Sequence, residues 1–311
     1  MGEVVCRNIE TDMLHKARLI SSKHRMSGPL ADSIVLYSEC FGMPSIVTEI
    51  ILYHKVKRID FCYRITMEAI PLREAFVLFP FGNSDPVFSF QGIGAPVMAF
   101  DDIIAGGNTN QYAAQHWCKV AGSDFDCVLA SDEARIIEFG GINTTAVSQA
   151  HHHLNPAGWE KPYITRQDIS NSHIASMILY SNCQTNFPFV QQGEVIYRYS
   201  LTTGKNVDCE GFAESFVYPP AILDGNTAPF SVDTGNGNVT VLTLKQAEDG
   251  DGMIVRLKET RSKNADVDLC KMMRGDFRFF LCDSLERTVS ENSLQVYTLK
   301  PYETVTLRIK K

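Results

Sequence analysis

No apolar run in this chain approaches the roughly 20 residues that a membrane-spanning helix needs. The N-terminus also lacks the apolar core of a secretory leader, so a cytoplasmic protein is expected. Nine cysteines are scattered along the chain without a single Cys-x-x-Cys pair, which removes the usual zinc and redox motifs. Their odd number and their apolar surroundings read as reduced, buried thiols acting as small hydrophobes. No block of lysine and arginine stands out, and the formal net charge is −7, so a nucleic-acid partner has no support. There is no Gly-x-Ser-x-Gly elbow and no phosphate loop. Gly92-Ile93-Gly94 lacks the third glycine and the following helix of a dinucleotide site and reads as a turn. No extended 3.6-residue periodicity and no internal repeat occur, and the strand–helix alternation of a (β/α) barrel is missing.

What is present is β pattern. The 311 residues are 44% hydrophobic and 21% charged, an ordinary globular composition large enough to bury a core unaided. Apolar and polar residues alternate along Ile59-Asp60-Phe61-Cys62-Tyr63-Arg64-Ile65, the mark of a strand with one buried face. Similar segments are expected at 33–40, 46–54, 74–79, 87–90, 115–120, 125–130, 134–139, 175–180 and 194–202. Residues 1–30 are polar and read as a lead-in or one edge strand. Residues 31–218 form a first domain, and the proline-rich stretch 219–229 reads as a linker. Residues 230–311 then carry short strands at 239–245, 253–259, 267–271, 277–282, 294–297 and 303–309. Such regular spacing points to a β-sandwich. The fold class expected is all-β.

Several clusters invite chemical readings. His151-His152-His153 could hold a metal, but neighbouring strand residues face opposite ways and no third ligand can be named from spacing. Asp249-x-Asp251-Gly252 lacks the later oxygen ligands of a calcium loop and reads as a hairpin turn. The carboxylate pairs Asp101-Asp102, Asp124/Asp126 and Asp132-Glu133 sit in turn-like contexts and read as solvated. The two Asn-x-Thr sequons, at Asn143 and Asn238, read as chance matches. The set Gln115, His116, Trp117, Asn182, Gln184, Asn186 and Phe187 combines amides, an imidazole and aromatic rings, the groups that bind sugars. The alternative is that Trp117 and Phe187 are core and the amides cap loops.

The stretch Ser181-Asn182-Cys183-Gln184-Thr185-Asn186-Phe187 is followed by Tyr197-Arg198-Tyr199-Ser200-Leu201. Further on come Ala247-Glu248-Asp249-Gly250-Asp251-Gly252-Met253-Ile254-Val255-Arg256-Leu257 and Leu299-Lys300-Pro301-Tyr302-Glu303-Thr304-Val305-Thr306-Leu307. In this order they resemble the C-terminal β-domains of glycoside hydrolase family 38, the zinc-dependent retaining α-mannosidases. Gln115-His116-Trp117, with Ala130 and 134–140 after it, resembles a further stretch of that family. Cys183 and Gln184 stand where the family commonly has an aromatic.

The resemblance implies a large super-β-sandwich of the mutarotase type followed by a smaller β-sandwich. It implies the non-catalytic C-terminal portion of an α-mannosidase-like enzyme, inactive alone, with zinc and the attacking aspartate in a catalytic barrel outside this chain. That barrel and mannose-containing glycans are the partners implied. His116, Trp117, Asn182 and Asn186 are the substrate-rim residues expected. Residues 1–40 and 140–172 are the surfaces expected to meet the barrel. A stand-alone carbohydrate-binding module remains open. So does a mutarotase-like enzyme, for which His173 and Glu194 would be the acid–base pair.

Overall fold

The computed structural model describes residues 1–143, 163–181, 190–219 and 232–311. The chain divides into two compact units, Met1–Pro220 and Ala221–Lys311. The first contains β1 (Glu3–Asn8), β2 (Met13–Lys16), β3 (Arg18–Ser27), β4 (Ala31–Cys40), β5 (Met43–Tyr53), β6 (Ile59–Met67) and β7 (Arg73–Phe81). It continues with β8 (Val87–Gln91), β9 (Pro96–Met98), β10 (Tyr112–Ala113), β11 (Trp117–Ala121), β12 (Asp126–Ala130) and β13 (Ile136–Phe139). Last come β14 (Ser172–Ser181), β15 (Gly193–Gly204) and the helix α1 (Cys209–Val217). These strands form a six-stranded sheet, β10-β13-β14-β7-β1-β2, and a nine-stranded sheet, β3-β4-β5-β6-β15-β12-β11-β8-β9.

The two sheets pack face to face through the alternate residues that their central strands turn to one core. Ala75, Val77, Phe79 and Phe81 of β7 enter the same core as Phe61, Tyr63, Ile65 and Met67 of β6. Phe79 lies 5.8 Å from Phe61 and 5.3 Å from Tyr199, and Phe88 stacks on Phe139 at 4.8 Å. Such ring pairs contribute about 0.5–1.5 kcal/mol each beyond the area they bury. Two of the buried tyrosine hydroxyls are satisfied, Tyr63 donating to Gly2 O at 2.8 Å and Tyr199 meeting Ser176 Oγ at 3.0 Å.

Residues 1–30 hold three strands where the sequence reads as a lead-in or one edge strand. Val4, Val5 and Cys6 are buried, and β1 lies between β7 and β2. A three-residue apolar run inside a polar stretch is too short to dominate a periodicity reading, yet it suffices for an interior strand. β2 and β3 do end their sheets, and every residue of β3 is exposed. Near the β4–β5 turn Gly42 has φ +67°, and a Cβ there would fall 1.7 Å from Arg73 Nη1. Glycine is thus required twice over, by backbone and by the buried guanidinium beside it. Arg73 donates to the carbonyls of Ile70 at 3.0 Å and Glu68 at 2.5 Å.

The second unit has β16 (Val239–Gln246), β17 (Met253–Glu259), β18 (Ala265–Asp268), α2 (Leu269–Met272), β19 (Arg278–Cys282), β20 (Val296–Leu299) and β21 (Thr304–Lys310). A four-stranded sheet, β16-β17-β21-β19, and the pair β18-β20 enclose Val255, Leu257, Val267, Phe279, Leu299 and Leu307. The strand expected over 267–271 stops at Asp268, because Leu269 and Met272, one helical turn apart, both bury in this core. The 249–252 segment is the β16–β17 turn. Arg308 donates to Asp249 Oδ1 at 2.8 Å and to Asp251 O at 2.7 Å, and Lys310 pairs with Asp251. The fold is all-β, with two short α-helices and one 3-10 turn, Arg166–Asp168, among the described residues. Among the described residues no helix is long and apolar enough to cross a membrane.

Candidate functional site

His116 and Trp117 stand at the entry to β11, and their side chains have different surroundings. The indole of Trp117 is 3% exposed and packs with Val128 and Ala130 beneath Cys209 and Ala213 of α1. Asp208 caps that helix by accepting from Gly211 N at 3.0 Å. Cys209, Phe212, Ala213 and Phe216 follow at helical spacing and lay the apolar face on the nine-stranded sheet. The ring of Trp117 is therefore a support for α1 and offers no open face.

His116 lies half-buried at the surface. Its Nε2 is 3.6 Å from Asp132 Oδ1, and its ring meets Tyr218 edge to face at 5.7 Å. Asp132 is also bonded by Arg135 Nη2 at 2.6 Å. Gln91 fixes the local backbone. Its Oε1 accepts from His116 N at 2.9 Å, and its Nε2 donates to Glu210 Oε2 of α1 at 2.6 Å. Burial and then the nearby Arg135 charge lower the imidazole's pKa, against the pull of Asp132. This favours the neutral imidazole, which can both donate and accept a hydrogen bond. With the exposed Tyr218 ring beside it, the patch can hold a hydroxylated ring. Asn182, Asn186, Gln184, Phe187 and His151 to His153 lie outside the described residues.

His173 is on β14 of the six-stranded sheet, and Glu194 is on β15 of the nine-stranded one, bonded to Arg64 at 2.7 Å. The two do not form a hydrogen-bonded acid–base pair. Burial pushes the Cys6 thiol up to about 12 and the Cys127 thiol to about 11, so neither is a ready nucleophile. Among the described residues no group of three or more His, Cys, Asp or Glu is placed to hold a metal ion, so these residues do not fit a zinc site.

Periodicity reasoning missed one polar cluster. On the six-stranded sheet, Arg7, Glu74 and Glu138 are each 2% exposed or less. Arg7 Nη1 is 3.6 Å from Glu74 Oε2. Glu138 accepts from Asn143 N at 2.7 Å and from Gln111 Nε2 at 3.1 Å. Desolvation, aided by Glu74, pushes its carboxyl to about 8. The available signal was Glu74-Phe76-Leu78, a charge continuing an apolar stripe on one strand face.

Comparisons with known proteins agree with this architecture. Residues 238–307 match the family model of the glycosyl hydrolases family 38 C-terminal beta sandwich domain. Among solved structures, the chain is similar to an alpha-mannosidase from Enterococcus faecalis V583, at 14% identity and a TM-score of 0.71, over 98% of this chain and 38% of that one. It is also similar to a protein in the glycosyl hydrolase family 38 from Enterococcus faecalis, at 15% identity and a TM-score of 0.68, over 98% of this chain and 40% of that one. No curated protein matches. The chain thus spans about two fifths of the length of these structures, and the likeness is one of fold. The family match contains the blocks at 247–257 and 299–307, so the resemblance to the family 38 C-terminal β-domains is borne out.

Proposed function

We propose that this chain is the non-catalytic C-terminal portion of an α-mannosidase-like glycoside hydrolase, supporting a catalytic barrel that lies outside it. The carrying observation is the fold match over 98% of the chain to about two fifths of an alpha-mannosidase. The surface of the first unit supports the same reading. Between residues 13 and 37 the large apolar side chains Met13, Leu14, Leu19, Ile20, Met26, Leu30, Ile34 and Tyr37 are exposed. These exposed apolar side chains, with β3 at the edge of its sheet among the described residues, support an interaction surface in this part of the unit. Zinc and the attacking carboxylate belong to the barrel, and the cytoplasmic setting is part of the same proposal.

Two measurements test it. The isolated chain is expected to leave aryl α-mannosides unhydrolysed and to carry no stoichiometric zinc. Turnover abolished by a chelator, with zinc near one per chain, would sink the reading. In sedimentation the chain alone is expected to self-associate through the 13–37 surface, and the upstream barrel region supplied with it should suppress this. A strictly monomeric, highly soluble chain would favour the second reading, a stand-alone carbohydrate-binding module. The observation favouring that second reading is the exposed Tyr218 ring against His116. In either case His116 is the proposed sugar contact and Trp117 holds α1 in place beside it; Asn182 and Asn186, outside the described residues, are proposed as further contacts.

A further inference from the structure

At one end of the nine-stranded sheet the β5–β6 connection reads His54-Lys55-Val56-Lys57-Arg58, four basic residues in five on a chain whose net charge is −7. It borders a cleft of about 430 Å³ whose other wall is Leu201, Thr202 and Thr203 of β15. We infer that this cleft binds a small anionic ligand, a phosphate or sulfate ester.

The cleft has a built floor. Arg58 donates through Nε and Nη2 to the two carboxylate oxygens of Asp60, at 2.7 Å each, and Tyr53 Oη donates to Asp60 Oδ2 at 2.9 Å. The guanidinium lies 5.3 Å from the Tyr53 ring and 5.3 Å from the Phe216 ring of α1. Thr202 Oγ1 donates to Lys57 O at 2.6 Å and pins the connection to β15. Loop and wall are therefore held in place before any ligand arrives, which lowers the ordering cost of binding.

The charge over this floor is only partly offset. Of the carboxylates bonded to this hairpin, Asp60 is taken by Arg58 and Tyr53. Asp32 is 3.4 Å from His54 Nε2 and accepts from Ser27 at 2.7 Å. Asp126 shares the surroundings of the Cys127 thiol with Lys57 but forms no ion pair with it. Lys55 and Lys57 have no carboxylate partner among the described residues, and both line the cleft. Two free ammonium groups facing one cavity focus positive potential on it. Leu52 and Val56, both more than half exposed, add an apolar wall. A bare ion would leave that wall in water, whereas an ester would cover it with its carbon skeleton.

The test is calorimetric titration of the full chain with inorganic phosphate, glucose 6-phosphate and glucose. Glucose 6-phosphate is expected to bind more tightly than phosphate, glucose to be silent, and binding to weaken with added sodium chloride. The double variant Lys55→Ala, Lys57→Ala should lose at least about tenfold in affinity, since it removes both free charges. The matched control Lys263→Ala, Lys300→Ala, on exposed residues of the second unit, should lose none. Arg58→Lys, which keeps the charge but breaks the two-point clamp, should weaken binding while the chain stays folded by circular dichroism. No ester binding by about 10 mM overturns the inference, since two free charges and an apolar wall should give more than the binding that limit allows. So does equal loss in the control, or phosphate binding as tightly as its ester. None of these outcomes bears on the barrel-supporting reading, which uses other surfaces.

Discussion

Replacing Glu138 with glutamine should make the first unit more stable as pH rises, although it removes a charged side chain from a hydrogen-bonded network. Glu138 is fully buried, and its carboxyl titrates at about 8 instead of its ordinary 4.5, chiefly through desolvation. Below about pH 4.5 folded and unfolded chains both hold the proton, and its contribution to stability is fully present. Between 4.5 and 8 the unfolded chain has released the proton while the folded protein keeps it, so stability falls with pH. Above 8 both have released it and the loss is complete. Three and a half units at about 1.4 kcal/mol each bound the effect at about 5 kcal/mol. The substituted amide would accept from Asn143 N through its carbonyl oxygen as the carboxyl does, and the Gln111 amide can turn to accept from the new NH₂. Denaturant unfolding of both proteins at pH 5, 6, 7 and 8.5 measures this. The variant should match wild type within about 1 kcal/mol at pH 5 and exceed it by about 2–5 kcal/mol at pH 8.5. A difference that does not change with pH would refute the desolvated-carboxyl account. A variant that loses stability most at high pH would show that Glu138 is ionised and held by Arg7.

Other expectations follow from packing and backbone. Trp117→Ala should cost about 3–5 kcal/mol by opening a cavity beneath α1, while His116→Ala should change stability by less than about 1 kcal/mol. Thermal melting of both, with glycan-array binding of His116→Ala, separates support from contact. Equal destabilisation would remove the distinction. Gly252→Ala should destabilise the second unit by more than about 2 kcal/mol. Its φ is +88°, and a Cβ would sit 2.3 Å from Ile309 O, a backbone atom of β21 that cannot swing away. A melting temperature within a degree of wild type would show that the turn relaxes at no cost. Gly250→Ala, in the same turn at φ +76° but with only the Gln246 amide within 4.0 Å, should cost less.

The strands were legible where one face is core and the other water. β6 shows it along Phe61, Tyr63, Ile65 and Met67, with Arg64 and Thr66 exposed between them. The same rule fails where both faces are covered. Arg7, Glu74 and Glu138 occupy alternate positions that a period of two assigns to solvent, so their burial was invisible to pattern. The helix α1 escaped for another reason. It is nine residues long, and its stripe of Cys209, Phe212, Ala213 and Phe216 supplies only two turns of periodicity. Its capping signal at Asp208 was present but unused.

The candidate site divides along the same line. Residue type marked His116 and Trp117 as a pair suited to a sugar, but type says nothing about which face of a strand is covered. Trp117 is 3% exposed because α1 lies over that face, and α1 was the element not foreseen. Its end supplies Tyr218, the aromatic that does stand open beside His116. A helix laid across the sheet thus takes one ring out of reach and presents another, about 100 residues further along the chain. The same helix sends Phe216 to the Arg58 clamp and Glu210 to Gln91. One short helix therefore sets the His116 patch and the floor of the basic cleft together. Variants that loosen α1, such as Asp208→Ala at its cap, should weaken ligand binding at both places, by contrast with Lys55 and Lys57 changes confined to one.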